Sequence, residues 1–123
     1  MRDVSSSDYQ GIVVISAPMT IQELQALGEE RFGDMVKGVV DTKPRVLALG
    51  GSLHADEEKV LLQQGSEQAD LWGINIYPAE PRPDWIEFDS LINLKPRLGN
   101  RSRSVDDAST RRLIVEIVDS LIE

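Results

Sequence analysis

Apolar positions along the chain switch between two spacings, and each switch marks a structural element. Ile12-Val13-Val14-Ile15, inside Gly11 to Ser16, is an unbroken β-branched run that suits a strand covered on both faces. Pro18 ends it. Thr20 and Glu23 make a capping box, and Ile21, Leu24, Leu27 and Phe32 line one side of the helix that follows, closed by Gly33. Met35 to Asp41 and Arg45 to Gly50 are short Val- and Leu-rich runs flanking Asp41-Thr42-Lys43-Pro44, which predicts a hairpin. A second helix is predicted from about Ala55 to Gln64, closed by Gly65, with Leu53, Val60 and Leu61 inward. From Leu71 to Tyr77 the spacing is two: Trp72, Ile74 and Ile76 face one way, Gly73, Asn75 and Tyr77 the other. Beyond a loop stiffened by Pro78, Pro81 and Pro83, Trp85 to Leu94 alternates again. Ile86, Phe88, Ile92 and Leu94 share one face there, with Glu87, Asp89 and Asn93 opposite. A polar loop from Lys95 to Ser104 leads to a last helix capped by Asp106 or Asp107.

The expected order is therefore βαββαββα. It implies an α+β, two-layer sandwich with a ferredoxin-like core, extended by one strand and a C-terminal helix. In that last helix Leu113, Ile114, Val115, Ile117, Val118, Leu121 and Ile122 are all apolar. At ~100° per residue they span roughly 200°, wider than a surface helix needs. The arc suits a helix wedged deep against the sheet, or one that also forms a homodimer contact. Residues 1–9 are polar and are expected to be a flexible tail, with a single domain from 10 to 123.

Composition narrows the function classes. The chain has 123 residues and a formal charge of −8, which argues against a nucleic-acid partner unless basic residues cluster locally. It has no cysteine, which excludes thiolate catalysis and Cys-based metal sites and fits a reducing cytoplasm. The N-terminal segment lacks the pattern of a signal peptide, and no apolar run is long enough for a membrane span. A cytoplasmic location is expected.

Two segments carry candidate chemistry. Gly50-Gly51-Ser52-Leu53-His54-Ala55-Asp56-Glu57-Glu58 is a strand end, a glycine turn and a helix start, and holds the one histidine. At a helix N-terminus His54 is expected to be neutral, able to act as a base or a metal ligand, or simply to pack or cap the turn. Asp56, Glu57 and Glu58 in the first turn complement the helix dipole, and the same carboxylates repel a phosphate that the glycines would otherwise cradle. A metal needs at least three converging ligands and only two lie close together, so no metal is assigned and the cofactor is left open. Lys95-Pro96-Arg97-Leu98-Gly99-Asn100-Arg101-Ser102-Arg103 puts four cations in an acidic chain. Such a loop pairs with the chain's own acids or holds a carboxylate or phosphate compound. Glu87, Asp89 and Asn93, with Asn75 and Tyr77 on the neighbouring strand, form a polar floor suited to acid–base work or to solvent.

Four segments are shared with one family: Gly50-Gly51-Ser52-Leu53-His54-Ala55-Asp56-Glu57, Asp70-Leu71-Trp72-Gly73-Ile74-Asn75-Ile76-Tyr77-Pro78, Trp85-Ile86-Glu87-Phe88-Asp89-Ser90, and Ile92-Asn93-Leu94-Lys95-Pro96 with Gly99-Asn100-Arg101-Ser102. Through them the chain resembles a family of small, mainly bacterial proteins classed as a domain of unknown function. The resemblance implies a stand-alone domain and brings no activity. Two functions follow from the residues. One is binding of, or action on, an anionic small molecule, with His54 as base oriented by Asp56 or Glu57 and with Asn93, Arg97, Asn100, Arg101 and Arg103 holding the anion. The other is a non-catalytic interaction module, homodimeric through the last helix.

Overall fold

The computed structural model describes residues 4–6 and 11–123. The expected tail, residues 1–9, lies outside the described residues except for Val4–Ser6, which forms edge strand β1. The remaining elements follow the expected succession: β2 (Val13–Ile15), α1 (Ile21–Arg31), β3 (Val36–Asp41), β4 (Val46–Leu49), α2 (His54–Gln63), β5 (Leu71–Ile76), β6 (Ile86–Glu87) and α3 (Ala108–Leu121). Thr20 caps α1 as expected: its Oγ1 accepts from the Glu23 N–H, and Glu23 Oε1 accepts from the Thr20 N–H, both at 3.1 Å.

All six strands form one antiparallel sheet, in the order β1-β2-β4-β3-β5-β6. The α+β sandwich stands, but the ferredoxin-like, two-layer expectation is corrected in one step. A ferredoxin-like core would place β5 beside β2; here β5 pairs with β3. The crossovers β2-α1-β3 and β4-α2-β5 then step the same way across the sheet from strands of opposite direction. Right-handed connections therefore put α1 and α2 on opposite faces. The core divides accordingly. Leu24 of α1 and Ile114, Ile117 and Val118 of α3 pack with Leu47, Leu49, Trp72 and Ile74 on one face. Val60 and Leu61 of α2 pack with Val14, Val39, Ala48 and Leu71 on the other.

The wide apolar arc of α3 is used inside the chain. Ile114, Ile117 and Val118 are fully buried and Leu121 is 5% exposed, so most of the arc faces the protein's own sheet, while Leu113 and Val115 are half-buried.

The strand expected from Trp85 to Leu94 stops after Glu87. Ile86 and Phe88 stay with the α1/α3 face, Ile92 joins the α2 face, and Leu94 is 43% exposed. Gly73 is the reason. A Cβ there would lie 2.5 Å from both the Cβ and the Oγ of Ser90, so the chain crosses the edge of β5 through the space that glycine leaves. The short 3-10 helix Leu91–Asn93 follows, started by Ser90, whose Oγ accepts from the Ile92 N–H. The fully buried Asn93 then acts as a strand substitute: its Oδ1 accepts from the Gly73 N–H at 2.8 Å and its Nδ2 donates to the Gly73 carbonyl at 2.9 Å.

Gly73→Ala is therefore expected to destabilise the domain by about 1–3 kcal/mol, the usual penalty of overpacking. Chemical denaturation measures it, and an unchanged midpoint would show that the crossing does not need the glycine.

Candidate functional site

The inward face of α2 changes character along its length. Val60 and Leu61 are apolar, but the residues one turn and two turns earlier, Glu57 and His54, are buried too. Leu53, expected inward, is the N-cap and 58% exposed. Beneath this polar half, sheet register sets Lys37 beside Asn75 and Asn75 beside Glu87, a polar row on the α2 face.

His54 is 8% exposed, and its Nε2 lies 2.8 Å from the Ile74 carbonyl oxygen. A carbonyl only accepts, so Nε2 carries the proton and the other ring nitrogen of the neutral imidazole is an acceptor. Burial lowers the pKa from 6.5 to about 4, with the Lys37 charge adding to it, against the favourable bond to Ile74. His54 is thus neutral at pH 7, as its helix position suggests, with burial as the main cause. The Asn75 carboxamide lies beside it, and its side-chain hydrogen bond to the ring favours the charged form, against the desolvation. Its Nδ2 donates to Glu87 Oε1 at 2.8 Å and to the Asp89 carbonyl at 3.3 Å. Two acceptors on that side fix the amide's orientation. The opposite atom, Oδ1, is buried and has no hydrogen-bond partner. The Tyr77 hydroxyl donates to the same Glu87 oxygen at 3.3 Å. Desolvation, then the Glu87, Asp34 and Asp89 carboxylates, raise its pKa. Lys37, Tyr77 and Asp89 are half-buried and Glu87 is exposed, so the cluster opens to solvent on this side.

Glu57 is fully buried. Its Oε2 accepts from the Gly51 N–H at 2.9 Å, while Oε1 has no partner. Burial pushes its pKa well above the carboxylate range, further than the Gly51 bond pulls it down. The glycine turn that resembles a phosphate cradle is filled by the chain's own carboxyl group. Neither expected partner orients His54: Glu57 turns to Gly51, and Asp56 lies roughly 200° around the helix from it. The Ile74 carbonyl does so instead.

The basic loop does not converge on His54. Lys95 turns inward, donating from Nζ to the Gln68 and Ile92 carbonyls, with its ammonium 5.1 Å from the centroid of the Trp72 ring. Arg97 and Arg101 are exposed, and the recess that Arg97 lines with Leu94 and Leu98 contains neither Arg101 nor Arg103. Arg103 alone approaches the cluster, through a 2.6 Å bond from Nε to Asp89 Oδ1. Asn93 and Asn100 hold backbone. The Asn93 amide serves Gly73 and Arg103. Asn100 Nδ2 donates to the Asn93 and Ser104 carbonyls at 2.7 Å each, and its Oδ1 accepts from the Asp106 N–H. Every polar atom of both carboxamides is engaged with backbone.

A cleft of about 600 Å³ lies elsewhere, lined by Asp70, Trp72, Leu98, Asp106, Thr110 and Leu113 among others. Trp72 belongs to the opposite face of the sheet from Asn75. Volume thus favours that cleft, and chemistry favours His54. A perturbed imidazole and a partnerless buried acceptor mark a site more specifically than space does. Among the described residues no group of three His, Asp or Glu side chains could hold a metal, and no helix is long and apolar enough to cross a membrane.

Lys37 is the member of this cluster that sequence reading missed. It left a signal: in β3 it shares the face of Val39 and Asp41, so two charges fall on one side of a strand that is otherwise apolar.

The two buried titrating groups act in opposite directions on stability. His54 has a folded pKa below its unfolded one, so its contribution is complete above pH 6.5 and lost as pH falls toward 4. That loss is on the order of 3 kcal/mol. Glu57 has a raised pKa, so its contribution is complete below the ordinary carboxylate range and lost as pH rises. His54→Gln should flatten the acid limb of a stability–pH curve. Glu57→Gln should gain on wild type progressively as pH rises. Parallel curves for wild type and either variant would contradict the assignment.

The model of the family described as "Protein of unknown function (DUF5674)" matches residues 13–121, which contains β2 through α3 and every residue of the His54 cluster. No curated protein and no solved structure matches the chain. The chain belongs to the DUF5674 family of proteins of unknown function.

Proposed function

We propose that this domain binds a small polar molecule at the solvent-facing side of the His54 cluster. The observation that carries the reading is Asn75 Oδ1, a buried acceptor with no partner beside a neutral imidazole. A buried polar atom in a folded protein is almost always paired, and an exception calls for a water, an ion, a ligand or a functional role. The rest of the cluster suits recognition more than turnover. A general base works best with a pKa near the working pH, and His54 titrates at about 4. The anionic ligand expected from the arginines has weaker support, because Arg103 is already paired and Arg97 and Arg101 stand apart.

A second reading, docking of a protein partner, draws on the exposed Leu53, Leu91 and Leu98, each more than half accessible. On α3 it has only the half-buried Leu113 and Val115 to draw on.

His54 is the sole histidine, so its ring signals in NMR report the site without ambiguity. A metabolite-sized library of amines, alcohols, sugars, carboxylates and phosphates should contain a class that shifts those signals saturably and raises the melting temperature. Asn75→Ala should abolish the shift. A library that leaves His54 unmoved, together with Leu91→Glu dissolving a dimer seen by light scattering, would favour the docking surface instead.

A further inference from the structure

We infer that Gly51–Leu53 and the first turn of α2 form a pH-gated latch, closed by the buried Glu57 carboxyl in its protonated form and opened locally when that carboxyl ionises. The latch does not depend on the binding reading above. It bears on that reading by deciding when His54, 8% exposed in the closed form, can be reached.

The start of α2 is fastened differently from the rest of the helix. Val60 and Leu61 anchor its second half in an apolar cluster. The first turn has no such anchor, because Leu53 is exposed and the inward residues are His54 and Glu57. Leu53, the N-cap, makes no side-chain capping bond. The turn is held instead by polar contacts, from His54 Nε2 to the Ile74 carbonyl and from the Gly51 N–H to Glu57 Oε2. Gly51 also packs closely on the glutamate, since a Cβ there would lie 3.0 Å from Glu57 Cγ. On the strand side Gly50 is fixed, its carbonyl accepting from Arg31 Nε at 3.1 Å. Gly50, at φ 91°, and Gly51 therefore form a hinge between two anchored segments.

Glu57 can hold its place in one charge state only. It is fully buried, with one donor on Oε2 and no partner on Oε1. A neutral carboxyl tolerates that setting far better than a carboxylate does. The charges that reach it do not alter the balance. Among the elements packed against α2, β2, β4, β5 and the 3-10 helix Leu91–Asn93 carry no titratable residue. From β3, Lys37 favours the ionised form, while Asp41 lies at the far end of the strand beside Ser66. Asp56, on α2 itself, opposes ionisation, and His54 is neutral. The Lys37 ammonium stands 5.4 Å from the centroid of the Phe32 ring and leaves Oε1 unbonded. Burial outweighs the Gly51 bond and Lys37 together and raises the pKa.

In the open form Glu57 meets water and titrates in the ordinary carboxylate range. The closed form is fully favoured below that range and is lost as pH rises through the raised pKa. Between those two limits the opening constant grows about tenfold per pH unit. The opening stays local because Gly50 remains bonded to Arg31, and Val60 and Leu61 remain packed.

Hydrogen exchange on the full chain, from about pH 5 to 9, tests the latch. Gly51 protection, relative to the intrinsic exchange rate, should fall about tenfold per pH unit until the Glu57 carboxyl carbon titrates by NMR, and then level off. Dilute urea should leave it unchanged at fixed pH, since little surface opens, while Val39 in β3 loses protection. Glu57→Gln still accepts from Gly51 and cannot ionise, so its Gly51 protection should be flat in pH. Lys37→Met removes the charge that favours the carboxylate. The Glu57 titration and the levelling should then move to higher pH together, which keeps the test decisive if the glutamine variant does not fold. Four results overturn the latch. Glu57 titrates in the ordinary range; wild-type protection is flat in pH; the glutamine variant keeps the wild-type slope; or Gly51 is as sensitive to urea as Val39, which means global unfolding. None of these changes what a ligand does to the His54 signals, so the latch and the binding reading fail separately.

Discussion

The carboxamide of Asn93 closed onto the peptide of Gly73 is the interaction on which the site's geometry depends. A sheet edge presents unpaired N–H and C=O groups, and β5 meets this need for two residues through β6 and then through a side chain. The substitution is possible because Gly73 has no Cβ, so the chain can cross in van der Waals contact with the strand. Crossing there ends β6 at Glu87, swings Asp89 over the end of β5, and brings Ser90 and Ile92 onto the α2 face. Asn100 then clamps the returning loop through the Asn93 carbonyl, and that loop delivers Arg103 to Asp89. Had β6 run on to Leu94 as a regular strand, Glu87 and Asp89 would have continued a solvated face, and Asn75 would have had no carbonyl from Asp89 to fix its amide.

The second determinant is the handedness of the crossovers. Because α1 and α2 fall on opposite faces, β3 and β5 are covered on both sides, and their residues are almost all buried. A polar row on a solvent-facing sheet would be ordinary. The same row, Lys37–Asn75–Glu87, placed under the first turn of α2 becomes a partly desolvated cluster. That desolvation makes the imidazole neutral and pushes the Glu57 carboxyl toward its protonated form. Topology, rather than any motif, converts surface residues into a site.

Legibility in the sequence followed the strength of local signals. The chain order, the Thr20 capping box, the hairpin and the Asp107 cap were readable because each rests on neighbours a few residues apart. The pairing of β5 with β3 was not, since the same succession of elements serves either sheet order. The end of β6 was hidden for a related reason. Ile86, Phe88, Ile92 and Leu94 keep period two, while the cause of the break, Gly73, lies in another strand. In α2 the apolar count pointed to Leu53 as the inward residue, because nothing local shows that a helix will bury His54 and Glu57 instead. The arginines misled by density: four cations in one loop suggested an anion site, and the fold sends Lys95 to carbonyls and Arg103 to Asp89. Where pattern and structure disagree, along α2 and beyond Glu87, they disagree at the site, as expected where local rules yield to function.

The two buried polar residues of α2 differ from ordinary core filling in what they cost. Positions 54 and 57 face a sheet under a helix, where Leu or Ile would pack without penalty. A buried polar group left with an unsatisfied atom costs about 1–3 kcal/mol, a large share of what a domain this size has to spare. Glu57 offsets part of that cost by holding the Gly51 N–H, where an added Cβ would already crowd its own Cγ at 3.0 Å, so it has a structural task as a latch for the turn. His54 has no equivalent task. The Ile74 carbonyl it meets lies in a strand already paired with β3, and a carbonyl with two lone pairs does not need a second donor. Packing therefore explains Glu57 in part and leaves the neutral His54, with the Asn75 carboxamide beside it, as the pair that core filling does not account for.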